Sequence, residues 1–189
     1  MEIGLYFGSF NPIHTGHMII ANHVLNETPV KRIWFVVSPQ NPLKETKTLL
    51  NEYHRLHLVR TAVAEDERFR AVDIEFHLPR PSYTIDTLTY LHEKYPQNNF
   101  TVILGSDSFL NLPKWKNYEQ LIKIHSFVVY KRPGFTDIQP AANCTVLTAP
   151  LLDISATMIR QLLREKKSTR YLLTDPVREE IERNGYYSK

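Results

Sequence analysis

Near the start of the chain, a short apolar run leads into a turn with two histidines and then into a helical pattern. The segment that decides the fold is Ile3-Gly4-Leu5-Tyr6-Phe7-Gly8-Ser9-Phe10-Asn11-Pro12-Ile13-His14-Thr15-Gly16-His17. Residues 3–7 have the length and residue types of a buried strand, and apolar residues at helical spacing follow over 16–27. A strand, a turn and a helix in this order predict the first β-α unit of a parallel sheet.

The same alternation continues to the end of the chain. The patterns predict further strands at 30–37, 69–75, 100–104, 126–130 and 145–148. They predict helices at 49–65, 83–95, 118–124, 155–165 and 176–183. Because the strands are apolar throughout, we expect an α/β fold: a Rossmann-like, doubly wound parallel sheet with helices on both faces. A small helical portion follows at the C-terminus.

The turn after the first predicted strand is the strongest candidate for a binding site. Ligands of doubly wound sheets bind beyond the carboxyl ends of the strands, and a helix N-terminus there presents free N–H groups to phosphate. Gly8 allows close approach of the backbone to a ligand. His14 and His17 are three residues apart, so both can face one ligand and donate hydrogen bonds to its phosphate oxygens.

Competing motifs for this turn fit less well. The dinucleotide fingerprint requires glycine two residues after Gly8, where Phe10 stands, and a Walker loop requires lysine after Gly16, where His17 stands. A zinc site on the two histidines remains an alternative, although no third ligand follows at a recognised spacing. The histidines could also serve only as helix caps or core residues.

The charge of the chain is small and unevenly distributed. The 189 residues carry a formal net charge of +3. Residues 1–154 hold fifteen basic and fifteen acidic side chains, so the whole excess lies in 155–189. This balance argues against nucleic-acid binding. The local excess of positive charge could bind one anionic ligand, or it could lie on the solvated face of a C-terminal helix.

Cysteine content and hydropathy give expectations about the compartment. The single cysteine, Cys144, excludes an internal disulfide and a thiolate cluster, and it fits a reducing, cytoplasmic setting. The N-terminus lacks the pattern of a secretory signal. Apolar runs such as 33–37 are far too short to span a bilayer, so we expect no membrane partner.

Several motifs together resemble a known family. The turn Gly8-x-Phe10-x-Pro12-x-His14-x-Gly16-His17 resembles the HxGH-containing signature of the nucleotidyltransferase superfamily. Later segments are similar to those of the bacterial nicotinate-mononucleotide adenylyltransferases: Ser82-Tyr83-Thr84-x-x-Thr87-Leu88, Gly105-Ser106-Asp107, Trp115, Arg132-Pro133-Gly134 and Ile154-Ser155-Ala156-Thr157-x-Ile159-Arg160. The resemblance runs from Gly4 to Tyr187 in the family's order. Two departures are Asn11, where the family usually has Asp, and the loop 38–44, which lacks the usual Pro-Pro-His-Lys.

The resemblance implies an activity and a set of site residues. The reaction would be adenylyl transfer from MgATP to nicotinate mononucleotide in NAD biosynthesis, giving deamido-NAD and pyrophosphate by direct in-line attack. Catalytic roles would fall to His14, His17 and Arg160. ATP would also be bound by Gly8, Ser9, Phe10, Gly105, Asp107, Ile154, Ser155 and Thr157. Nicotinate mononucleotide would be bound by Asn41, Lys44, Tyr83, Thr84, Trp115 and Lys116.

Cofactor and domain organisation follow from the same resemblance. Mg²⁺ would be held mainly by the ATP phosphates, because no cluster of carboxylates suggests a protein cage for the metal. We expect residues 1–189 to form a single nucleotidyltransferase domain, in which the helical segment 155–189 contributes to the ATP site. The sequence leaves open whether the chain forms a homo-oligomer.

Plainer roles compete for some of these residues. Ser155 could be a helix N-cap, Thr84 could cap the helix that begins near it, and Asp107 could cap a turn instead of binding ribose. Trp115, flanked by lysines, could stack on a flat heteroaromatic ring or simply pack on the surface. At the level of function, the alternatives are a nicotinamide-mononucleotide or phosphopantetheine adenylyltransferase and a non-catalytic nucleotide-binding module.

Overall fold

A parallel sheet forms the centre of the protein in the computed structural model, which describes residues 1–40, 48–132, 134, 143–150 and 152–188. The described strands are β1 (Glu2–Gly8), β2 (Arg32–Val37), β3 (Phe69–Val72), β4 (Asn99–Gly105), β5 (Ser126–Tyr130) and β6 (Cys144–Leu147). Their order in the sheet is β3-β2-β1-β4-β5-β6, and every neighbouring pair is parallel. This arrangement confirms the predicted fold class.

The described helices lie between successive strands from β1 to β5 and after β6. They are α1 (Thr15–Glu27), α2 (Glu52–Val63), α3 (Thr84–Lys94), α4 (Ser106–Leu110), α5 (Tyr118–Ile124), α6 (Ala156–Arg164) and α7 (Asp175–Asn184). Two short 3₁₀ turns, Ile74–His77 and Leu112–Lys114, accompany them. Among the described helices, none combines the length and the apolar character needed to cross a membrane.

Side chains alternate between the two faces of the sheet, because successive residues of a strand point to opposite sides. Leu5 belongs to the core cluster that includes Leu88 of α3, whereas its neighbour Tyr6 belongs to the other cluster, which includes Val59 of α2 and Ile159 of α6. Both faces are therefore buried under helices. This burial explains why the sequences of the strands are continuous apolar runs.

The strands that follow β1 in the chain are added first on one side of it in the sheet and then on the other side. The chain runs outward through β2 and β3, and then crosses back to place β4 beside β1. The loops after β1 and β4 consequently diverge, and they open a crevice at the carboxyl edge of the sheet, where ligands of such folds bind.

Two local expectations were wrong, and one helix was not predicted. The predicted strand 69–75 ends at Val72, and the chain turns into the 3₁₀ turn Ile74–His77, which buries Glu75. Helix α4 was not predicted, because five residues are too few to show a helical period. Thr84 does not cap α3: the N-cap is Tyr83, and its side chain makes no capping hydrogen bond.

Candidate active site

A cavity of about 760 Å³ opens at the carboxyl edge of the sheet. Its wall brings together predicted residues from separate parts of the chain: Gly8, Ser9, Phe10, His14, His17, Tyr83, Thr84, Gly105, Asp107, Trp115, Lys116, Ile154, Ser155 and Thr157. The predicted residues Asn41 and Lys44 lie outside the described residues. Phe10 belongs also to the core, since its ring packs edge-on against Tyr6 and Phe35.

Two histidines stack at the start of α1. His14 is the N-cap residue and His17 lies one turn further on, with the ring centroids 3.7 Å apart and the planes tilted by 30°. The backbone N–H of His14 donates a 3.2 Å hydrogen bond to Nδ1 of His17. Because Nδ1 accepts this bond, the ring proton of His17 is on Nε2, which can donate to a ligand.

Burial keeps the His14 imidazole neutral at pH 7. The residue is only 8% exposed. Burial, and secondarily the positive charge of Arg132, lowers the pKa of His14 to about 4. Its Nδ1 atom is buried and has no hydrogen-bond partner in the part of the chain that the structure describes. A Cβ at position 16 would lie 3.1 Å from this atom, so Gly16 leaves room for the ring.

An ion pair lies between the ends of β4 and β5. Nε of Arg132 is 3.4 Å from Oδ1 of Asp107, and Nη2 of Arg132 donates a 3.0 Å hydrogen bond to the hydroxyl of Tyr130. A Cβ at position 105 would come within 2.6 Å of Oδ1 of Asp107 and 2.8 Å of Nε of Arg132. Only glycine at position 105 permits this close arrangement without displacement of the pair.

Arg160 lies behind the first loop and is not among the residues that line the cavity. Its Nη1 atom donates a 2.8 Å hydrogen bond to the backbone carbonyl of Asn11, and Nη2 donates to Oγ1 of Thr157 at 3.3 Å. Burial lowers the pKa of its guanidinium from the ordinary value. Arg160 therefore reaches the cavity wall through Thr157, which does line it.

The side chain of Asn11 uses both of its polar atoms. Nδ2 donates to the carbonyl of Thr48 at 2.9 Å, and Oδ1 accepts from the backbone N–H of Leu50 at 3.1 Å. Aspartate, an acceptor only, could not donate to Thr48. The departure from the family's usual Asp at this position thus has a local physical reason.

The N-terminus of α6 is capped as expected. Oγ of Ser155 accepts a 3.1 Å hydrogen bond from the backbone N–H of Met158, which confirms the predicted N-cap. Ser155 and Thr157 nevertheless line the cavity as well. The cap role therefore does not remove this helix end from the candidate site.

An aromatic and basic group forms another part of the wall. Trp115 is partly buried and packs against the core together with Tyr83. Nζ of Lys116 is 2.8 Å from Oδ2 of Asp86 and 5.0 Å from the centroid of the Tyr83 ring. A flat ring bearing an anionic group could find an aromatic surface and a cation here.

Arg132 and Glu75 are among the wall residues that were not predicted from the sequence. Arg132 was quoted only as part of a motif, although a cation directly after a buried strand was a usable signal. Glu75 was placed inside a predicted strand, so nothing marked it as a wall residue; it is 3% exposed and lines the cavity. Among the described residues, no group of three or more His, Cys, Asp or Glu is arranged to hold a metal ion.

Comparison with known proteins adds independent findings. Residues 5–162 match the family model described as cytidylyltransferase-like. A protein of Cytophaga hutchinsonii, named "Probable nicotinate-nucleotide adenylyltransferase", is 49% identical over 100% of this chain and 99% of its own. A protein of the same name from Flavobacterium johnsoniae is 44% identical, with 100% of both chains covered.

The fold also has close counterparts among solved structures. One is the nicotinic acid mononucleotide adenylyltransferase of Plasmodium falciparum complexed with NaAD, with a TM-score of 0.83 at 22% identity, covering 98% of this chain and 97% of that one. The same enzyme complexed with APC gives a TM-score of 0.82 at 21% identity, covering 98% of this chain and 96% of that one.

Proposed function

The chain belongs to the nicotinate-nucleotide adenylyltransferases of the cytidylyltransferase-like family, and from that premise we propose that it transfers the adenylyl group of MgATP to nicotinate mononucleotide. The products are deamido-NAD and pyrophosphate, a step in NAD biosynthesis. The observation that carries the proposal is that one cavity, between the loops after β1 and β4, brings together the stacked histidines, the helix end at Ser155 and the aromatic group around Trp115.

The proposed reaction needs no nucleophile from the protein. A 5′-phosphate oxygen of nicotinate mononucleotide forms a bond to the α-phosphorus of ATP. The bond from that phosphorus to the bridging oxygen breaks, and pyrophosphate leaves with the electron pair. Catalysis then consists of positioning the two phosphates in line and stabilising the developing charge.

We assign charge stabilisation to the two histidines. Nε2 of His17 is the ring donor, since its Nδ1 accepts from the backbone of His14. His14 is neutral in the free protein, and the negative charge of an entering phosphate would favour uptake of a proton from water by its ring. Both rings would then donate to oxygens of the α-phosphoryl group.

The β- and γ-phosphates are assigned to Arg160 and the N-terminus of α6. Nη1 of Arg160 donates to the carbonyl of Asn11, whereas Nη2 makes the longer contact, 3.3 Å, to Oγ1 of Thr157. A phosphate oxygen could replace that 3.3 Å contact without disturbing Asn11. The backbone around Gly8, Ser9 and Ile154 would complete this half of the site.

The remaining groups would bind the sugar and the pyridine ring. Among the described residues, Oδ1 of Asp107 accepts no hydrogen bond, although it lies 3.4 Å from Nε of Arg132, and it could accept from the ATP ribose. Trp115 would stack on the pyridine ring, and Thr84 with the amide of Lys116 would hold its carboxylate. Tyr83 lies beside Lys116 and would close this part of the cavity.

The donor set suits Mg²⁺ that enters with ATP. The histidines, Arg160 and the α6 N-terminus offer donors to anionic oxygens rather than carboxylate ligands for a cation, so phosphate oxygens and water would hold the metal. When bound in this way, Mg²⁺ supplies positive charge to the phosphates. We expect the protein to work in the cytoplasm, in keeping with its lone cysteine.

Pyrophosphate release tests the proposal directly. The intact protein is incubated with MgATP and, in separate reactions, nicotinate mononucleotide, nicotinamide mononucleotide or phosphopantetheine. We expect release with nicotinate mononucleotide and much less with the other two acceptors. Faster release with another acceptor would reassign the substrate, and no release with any of them would indicate a non-catalytic nucleotide-binding module.

A further inference from the structure

Glu75 is a buried carboxylate in the cavity wall that the proposed reaction does not use. It lies in the 3₁₀ turn Ile74–His77, directly after β3, and is 3% exposed. Burial raises the pKa of its carboxyl group, and hydrogen bonds from three hydroxyls oppose that rise. A buried carboxylate is costly unless it is well hydrogen-bonded, so its contacts require an explanation.

The three hydroxyls come from different segments. Oγ of Ser82, just before α3, donates to Oε2 of Glu75 at 2.9 Å. Oγ1 of Thr87, in the first turns of α3, lies 3.2 Å from Oε1. The hydroxyl of Ser38, directly after β2, is the third donor. One carboxylate thus joins the loop after β2 to the segment that begins α3.

The backbone of Ser38 is held from other directions too. Its N–H donates to the carbonyl of Gly8 at 2.9 Å, and its carbonyl accepts from Nη1 of Arg55 at 2.8 Å. Arg55 is 0% exposed and also donates to the carbonyls of Ser9 and Pro39. With Glu75 as the third contact, each polar group of Ser38 (the N–H, the carbonyl and the hydroxyl) has a hydrogen-bond partner.

Glu75 is placed to act on one half of the cavity. Its partner Ser82 adjoins Tyr83 and Thr84, which line the cavity where Trp115 and Lys116 also lie. In the other half, Nδ1 of His17 accepts from the N–H of His14, and Oγ of Ser155 accepts from the N–H of Met158. Loss of the carboxylate should therefore loosen one half and spare the other.

We propose that Glu75 is a positioning residue for the pyridine-nucleotide half of the cavity, acting through Ser38, Ser82 and Thr87. The inference rests on the proposed function. Both carboxylate oxygens accept hydrogen bonds from protein hydroxyls, so Glu75 acts through those residues and not on the reacting atoms. Replacing the carboxylate should weaken binding of nicotinate mononucleotide and leave ATP binding nearly unchanged.

Steady-state kinetics of the intact enzyme test this role. Glu75→Gln keeps the size of the side chain but turns one acceptor oxygen into a donor, which the hydroxyls cannot all satisfy. We expect the KM for nicotinate mononucleotide to rise about tenfold and the KM for ATP to stay within about twofold. Ser82→Ala should shift the same KM. In the double variant, the rise in this KM should be smaller than the product of the two single rises, because both substitutions break the same contact.

Two further measurements separate positioning from general stability. Glu67→Gln removes an exposed carboxylate just before β3 and should leave both KM values unchanged. Hydrogen exchange of the free proteins provides a readout without substrate. The N–H groups of Asp86 and Thr87, which bond to the carbonyl of Tyr83, should exchange faster in Glu75→Gln than in the wild type.

The outcomes distinguish this inference from the proposed function. A wild-type protein that is inactive with nicotinate mononucleotide overturns the proposed function. If the wild type is active, two results would overturn the role of Glu75 alone. Either Glu75→Gln keeps the wild-type KM for nicotinate mononucleotide, or its KM values for nicotinate mononucleotide and ATP rise equally. Unchanged hydrogen exchange at Asp86 and Thr87 would also overturn it.

Discussion

The guanidinium of Arg160 donates a 2.8 Å hydrogen bond to the backbone carbonyl of Asn11, across 149 positions of sequence. The contact ties helix α6 to the first ligand loop, and the side chain of Asn11 ties that loop in turn to Thr48 and Leu50. The first ligand loop and helix α6, which belong to the same half of the candidate site, therefore share a common support. A change at Asn11 should be felt in stability as well as in catalysis.

Asn11→Asp tests this support. The carboxylate cannot donate to the carbonyl of Thr48, so two acceptors would face each other in a buried position. We expect the free energy of unfolding to fall by about 1–3 kcal/mol, measured by urea denaturation at pH 7. The same change at exposed Asn26 is the control. Equal stability of Asn11→Asp and the wild type would show that the Thr48 contact contributes nothing.

The lowered pKa of His14 predicts a dependence of stability on pH. The folded-state pKa of about 4 lies below the ordinary value of 6.5, so the unfolded chain binds the proton more readily. The contribution of His14 to stability is complete above pH 6.5 and is lost as the pH falls toward 4; by linkage it amounts to up to about 3 kcal/mol.

His14→Gln should reduce the loss of stability between pH 7 and pH 4.5. The variant will still lose some stability on acidification, because burial also lowers the pKa of His125. Denaturation curves of both proteins at the two pH values give the comparison. If the variant loses as much stability as the wild type on acidification, His14 is not the group responsible.

His17→Ala should lower kcat by about a hundredfold or more, as expected for loss of a donor to transition-state charge. The loss should appear in kcat with the KM for ATP changed far less. His17→Asn offers an oxygen that can still accept from the N–H of His14 and so preserve the start of α1. It should be as slow as the alanine variant. Turnover of either variant within threefold of the wild type would refute a catalytic role for His17.

Arg55→Met should destabilise the protein strongly. The guanidinium donates to the carbonyls of Ser9, Ser38, Pro39 and Leu50 and is fully buried. Removing it leaves these acceptors without their donor, and we expect a loss of about 3 kcal/mol or more in the free energy of unfolding. Arg60→Met, at an exposed position on the same helix α2, is the matched control and should unfold at nearly the wild-type urea concentration. Similar midpoints for the two variants would contradict the role of Arg55.

Much of the architecture could be predicted from the sequence, because strands and helices are indicated by local patterns of residues. A strand or helix shows its period within a few residues, and α5 and β5 were predicted at the boundaries observed. The turn with His14 and His17 was recognisable for the same reason, since both residues lie within one turn of a single helix. The doubly wound sheet followed from the alternation of these elements.

The tertiary structure decided the contacts between distant segments. No periodic pattern in the sequence indicates these contacts. They include the hydrogen bond of Arg160 to Asn11, the Asp107–Arg132 ion pair and the hydrogen bonds of Glu75 with the hydroxyls of Ser82 and Thr87. Such contacts depend on how loops converge after the strands are paired. A side chain's local sequence determines the element on which it lies, whereas its partners are determined by packing between elements far apart in the chain.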